Sequence, residues 1–257
     1  MTYVTTGNGQ AHQVGQGDQP GQGNGGGPGN GGGPDNGDEQ AQANLERSRL
    51  IDHFKRAYQI IVGLAITLAC TRLFSGGSVS SFWLFCTFFI TVVPIFHGGD
   101  RSLDVKYLRE APNGFWGRAA FIWDVYVLLV TAILFVRIAL SIPTASGGAG
   151  VLSAGTSVPT PETFYNWMGL MLAFDAAVLV VDMIKSWCLG TQGAGQLRAY
   201  WKWIILNIAF AVICWLAALE PKFLAPFAPE WLSFYVFAIA LARTILDYVF
   251  GGRFMFP

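Results

Sequence analysis

Six long runs of apolar residues constrain this chain more than any other feature. They cover approximately Tyr58 to Phe74, Val79 to Phe96, Ala119 to Ile142, Phe164 to Trp187, Ala199 to Leu219 and Trp231 to Phe250. A helix rises ~1.5 Å per residue, so about 20 residues cross ~30 Å of hydrocarbon; the first two runs are short and need tilt, snorkelling or local thinning. The apolar residues are continuous and do not alternate with polar ones, which favours helices over a barrel. Composition agrees: charged residues make up 12% of the chain and the mean hydropathy is +0.43, where soluble domains carry roughly 25% charge. The expected fold is therefore all-α, a polytopic bundle of six transmembrane helices.

Before the first run the chain changes character. Residues 1–45 are rich in Gly, Asn, Gln and Pro, and Gly-Asn-Gly-Gly-Gly-Pro at 23–28 is repeated directly at 29–34. Such a segment buries too little apolar surface to offset the entropy of ordering its backbone, so it reads as a disordered tether. It lacks the Gly-Lys-Ser/Thr of a phosphate-binding loop and the basic start and apolar run of a secretory signal. The domain division is thus 1–45, tether, and 46–257, membrane bundle.

Lysine and arginine orient the bundle. Arg47, Arg49, Lys55 and Arg56 precede the first run, Arg101, Lys106, Arg109 and Arg118 separate the second and third, and Lys185, Arg198 and Lys202 surround the connection between the fourth and fifth. The other side holds Arg72 and Lys222, with Arg137 near the end of its run, and the long 143–163 connection has no basic residue. The positive-inside rule places both termini in the cytoplasm. Tryptophans lie near run ends and none at mid-run, as expected for indoles at the headgroup boundary. The expected location is a cytoplasmic or plasma membrane, with the lipid bilayer as first partner and a second copy or other membrane subunits at the helix faces. Nucleic acid is excluded as a partner, because Lys+Arg and Asp+Glu balance at 16 each and no basic patch supplies phosphate affinity.

Ionisable side chains inside the runs are the candidate functional residues, since each costs at least ~2.5–3.5 kcal/mol at a helix centre unless paired or hydrated. They are Asp124 and Arg137 in the third run, Asp175 and Asp182 in the fourth, and Arg243 and Asp247 in the sixth. Counting from the run ends puts Asp175 and Arg243 at matched mid-membrane depth, an expected interhelical pair. Asp124, Asp182 and Asp247 form a lower layer that outnumbers its one intramembrane Arg, an excess calling for a proton, water or a cation. Arg137 lies close enough to its run's end to snorkel. The intramembrane polar cluster is accordingly Asp124, Asp175, Asp182, Arg243 and Asp247.

A second candidate lies just after the second run. In Ile95-Phe96-His97-Gly98-Gly99-Asp100-Arg101-Ser102-Leu103-Asp104, the two glycines are expected to stop the helix and Asp100 to cap a new interfacial one. Were the helix to continue through the glycines, His97, Asp100 and Asp104 would share a face at offsets of three and seven, a set able to hold a divalent metal near lipid phosphates. The plainer role is a cap, an ion pair and an interfacial imidazole. Cys70, Cys86, Cys188 and Cys214 show no paired spacing and read as packing residues. No nucleotide, flavin, quinone or hydrolase motif is present, nor the paired His of a buried haem, and no cofactor is expected.

Three functions remain open at this point. The first is a non-catalytic membrane component such as a sensor, anchor or assembly subunit, since the loops are too short for a soluble domain. The second is a proton- or cation-coupled transporter or channel using the carboxylates, and the third a lipid-active enzyme using His97 to Asp104.

Overall fold

A computed structural model describes residues 36–103, 106–107, 114–144, 159–189, 194–224 and 231–255. The chain divides into two units, Met1–Gln42 and Ala43–Pro257. In the first, the described residues are the opening turns of a helix that begins at Asn36; residues 1–35 of the expected tether lie outside the described residues.

Every described element is helical: α1 (Asn36–Phe74), α2 (Val79–Leu103), α3 (Gly114–Leu140), α4 (Pro161–Leu189), α5 (Ala194–Leu219), the single turn α6 (Pro221–Leu224) and α7 (Leu232–Met255). Six of them are long and apolar enough to cross a membrane. Large apolar side chains remain on their outer faces, among them Ile60, Ile133, Ile205 and Val249, which suits helices surrounded by hydrocarbon.

Helix ends follow from local chemistry. Gly76 adopts φ 91° between α1 and α2, a conformation that costs other residues ~1–2 kcal/mol, while the Gly77 amide closes on the Leu73 carbonyl at 3.0 Å. Ser78 then caps α2, its hydroxyl accepting from the Ser81 amide at 3.2 Å. At α4 the Thr160 hydroxyl lies 3.4 Å from the Thr163 amide, Pro161 takes the first helical position, and Glu162 places a negative charge in the first turn, a sequence well matched to a helix start.

Three sequence expectations change. Helix begins at Asn36, so the last part of the tether is helical, and α1 and α2 both exceed the short runs assigned to them. Further, α2 does not stop at Gly98 and Gly99 but continues to Leu103. Close packing explains the glycine there: a Cβ on Gly99 would come 2.7 Å from Leu128 Cδ2 and 3.5 Å from the Tyr58 hydroxyl. Here the small residue admits neighbouring helices, as in many membrane bundles.

Within the second unit α4 packs most extensively on α5, and α2 on α7. The core is built from Leu84, Phe88, Phe135, Met168, Phe210 and Val236, all essentially inaccessible. Gly169 of α4 lies under Trp215 of α5; a Cβ would meet the indole Nε1 at 2.7 Å. Pro94 shapes the α2–α7 contact. Lacking an N–H, it leaves the Ile90 carbonyl without its usual helical donor, and the Thr244 hydroxyl of α7 donates to that carbonyl at 3.1 Å. In a bilayer this bond matters because water does not compete for the freed oxygen.

Candidate functional site

The five residues read as an intramembrane polar cluster fall into two groups. The first closes the end of the bundle where basic residues concentrate. Asp124 lies early in α3 and Asp182 late in α4, so the antiparallel helices bring the two carboxylates to one level. Between them comes Lys106, three residues beyond α2, with Nζ 3.1 Å from Asp124 Oδ2 and 2.7 Å from Asp182 Oδ2. The Tyr107 hydroxyl donates to the same Asp124 oxygen at 2.9 Å. Lys185 adds a weaker contact, 3.8 Å from Asp182 Oδ1, and its ammonium lies over the Trp123 ring at 5.4 Å.

Electrostatics follow from this geometry. Burial alone would lower the Lys106 pKa, but the charges of Asp124 and Asp182 and the hydrogen bonds to them hold it above the ordinary lysine range. Burial, then the Asp124 charge, pushes the Tyr107 phenol above its ordinary value. Lys106 is therefore a fixed cation and Tyr107 a fixed neutral donor at neutral pH. The lower layer read from sequence is thus divided: Asp124 and Asp182 share Lys106, while Asp247 belongs elsewhere. Lys106 went unnoticed because a lysine between two membrane runs looks like a solvated loop cation. Its signal was its distance beyond Leu103, which matters only once α2 continues through the glycine pair.

The second cluster crosses three helices inside the bundle. Asn207 of α5 donates from Nδ2 to Asp175 Oδ2 of α4 at 2.6 Å, and its Oδ1 accepts from Arg243 Nη2 of α7. The same Nη2 lies 3.1 Å from Asp247 Oδ2, one turn along α7. Asp175 and Arg243 do converge on one place, yet among the described residues they meet through the Asn207 amide and not as a direct ion pair. An amide suits that position because it presents a donor to the carboxylate and an acceptor to the guanidinium. Asn207 was missed for want of charge; a polar amide deep in an apolar run was the available signal.

This second cluster is not fully paired. Arg243 Nε and Nη1 and Asp247 Oδ1 are buried with no hydrogen-bond partner among the described residues. Arg137, the remaining intramembrane cation, sits over the Trp167 ring at 4.9 Å, a placement that offsets part of the cost of an arginine near a helix end.

In the segment after the second run, α2 carries His97 and Asp100 in one continuous helix. His97 is exposed, whereas Asp100 Oδ2 pairs with Lys55 Nζ of α1 at 3.2 Å. Asp104 lies outside the described residues. Among the described residues no three His, Cys, Asp or Glu side chains are grouped to hold a metal. The Lys55 pair and the Tyr58–Phe96 ring stack, with centroids 5.3 Å apart, join α1 to α2. A small cavity beside them is walled by Phe54, Tyr58, Leu103, Val125, Leu128 and Leu129, so no charged side chain lines it.

No protein-family model, curated protein or solved structure matches the chain.

Proposed function

We propose that the chain is a non-catalytic, multi-pass membrane component, a sensor, anchor or assembly subunit, whose intramembrane charges hold its helices in register. It resides in a cytoplasmic or plasma membrane with both termini on the cytoplasmic side, as the distribution of basic residues favours. The observation that carries this reading is Lys106 seated between Asp124 and Asp182. It compensates the apparent excess of acid with a fixed cation, and it ties the segment after α2 to both α3 and α4. A carboxylate engaged in this way has its charge spent on packing.

The test is flux of protons and monovalent cations in proteoliposomes, wild type against Asp175→Asn. The structural role predicts flux equal to protein-free vesicles for both. Flux in wild type that Asp175→Asn abolishes would replace this proposal with the second reading, a proton- or cation-coupled transporter or channel. That alternative draws its support from the unpaired atoms of Arg243 and Asp247. The lipid-active enzyme has less support, since Lys55 already engages Asp100.

A further inference from the structure

We infer that the Arg243–Asp247 pair forms a built binding site for water inside the bundle. Side-on pairing of a guanidinium and a carboxylate normally uses both oxygens, one on Nε and one on Nη. Here Asp247 reaches Arg243 through Oδ2 and Nη2 alone, at 3.1 Å. The atoms that would have made the second bond, Nε and Oδ1, are both unpaired among the described residues, and Nη1 is unpaired as well. The two side chains are only 5% and 8% exposed, so these donors and this acceptor do not simply point into bulk solvent. Leaving a buried polar group unpaired is costly, and more so when it is charged, which gives a bridging ligand a strong thermodynamic reason to enter.

Charge and hydrogen-bonding capacity together select the ligand. Asp247 contacts the guanidinium directly and Asp175 is linked to it through Asn207, so an added anion would meet two carboxylates. An added cation would face the free Arg243 N–H donors. A small neutral molecule that both accepts and donates satisfies each group: it accepts from Nε–H, donates to Asp247 Oδ1, and a second molecule accepts from Nη1–H. Buried waters typically make about three such bonds. Arg243 lies seven residues from Phe250, roughly 10 Å along α7 from the basic end of the bundle. The site therefore places ordered water well inside the membrane-facing length of the helix. It holds whether the bundle anchors or transports, so its failure leaves the proposed function standing, and the reverse.

Solution NMR of the full chain in nanodiscs, labelled with 15N at Arg and Trp side chains, tests the site. The Arg243 Nε–H signal is assigned by its loss in Arg243→Lys. The Trp83 indole N–H is the internal reference, since it too is buried and unpaired among the described residues but sits against the rings of Phe234 and Phe237 at 4.9 and 5.2 Å, an aromatic setting. The expected result is a dipolar cross-peak between Arg243 Nε–H and water, at least fivefold stronger than any at Trp83. No cross-peak at Arg243, or equal ones at both positions, overturns the site, the second outcome meaning general water penetration. Arg243→Lys serves only to assign the signal; the comparison itself is made within the wild-type protein.

Discussion

Asn207 offers the sharpest test of how the bundle is held together. Asn207→Leu keeps nearly the same shape while deleting both functions of the amide: the donor to Asp175 Oδ2 at 2.6 Å and the acceptor for Arg243 Nη2. Each bond has a charged partner, and such bonds contribute ~1.5–3 kcal/mol, giving ~3–6 kcal/mol for the two. Interhelical hydrogen bonds in membranes average nearer ~0.6 kcal/mol, because the unfolded state in the membrane also finds partners, which sets a floor of ~1.2 kcal/mol. The charged and buried setting places the expectation toward the upper figures, about 3 kcal/mol. Reversible unfolding in mixed micelles, followed by tryptophan fluorescence, measures it, with Ile208→Leu on the exposed neighbouring face as a neutral control. A loss below ~0.5 kcal/mol, within the range of ordinary surface substitutions, would refute the bridge. A second arm separates the bridge from a direct ion pair: in a double-mutant cycle Asp175→Ala and Arg243→Ala should couple in the parent and lose most of that coupling in the Asn207→Leu background.

Lys106→Met should destabilise the bundle by about 2–3 kcal/mol, since it leaves Asp124 and Asp182 without their shared cation; denaturant unfolding checks this. The same cluster fixes a pH dependence. Lys106 and Tyr107 both have raised values in the folded protein, so their contribution is complete below the ordinary values of 10.5 and 10.0 and declines as pH rises through the folded ones. Unfolding free energy from this cluster should be flat between about pH 7 and pH 10 and fall above it, with a shallower fall in Lys106→Met/Tyr107→Phe. Thr244→Val should cost ~1 kcal/mol by stranding the Ile90 carbonyl, and Pro94→Ala should reduce that cost by restoring a backbone donor to the same oxygen. Cysteines placed singly in the 145–158 connection of a Cys-free chain should react with an impermeant thiol reagent added outside, and ones placed in the tail should not; the reverse pattern would invert the topology.

The sequence by itself determined the class of fold and which side chains had to be accounted for. Six apolar runs leave few alternatives to helices, because hydrocarbon offers the backbone no other hydrogen-bond partners. The same cost made Asp124, Asp175, Asp182, Arg243 and Asp247 conspicuous, since charge in an apolar run is readable one residue at a time. What joins them was not readable, because partnership depends on how helices rotate and where they end. Gly99 illustrates the difficulty: glycine serves equally to end a helix and to let another element approach, and only its closeness to Leu128 and Tyr58 shows which use applies. That continuation of α2 in turn puts Lys106 between Asp124 and Asp182. Asn207 carries no charge and so a weaker warning, yet the packing of α5 between α4 and α7 makes it the link between Asp175 and Arg243. Hydrophobicity is a property of each residue, whereas pairing is a property of neighbours the chain acquires only by folding.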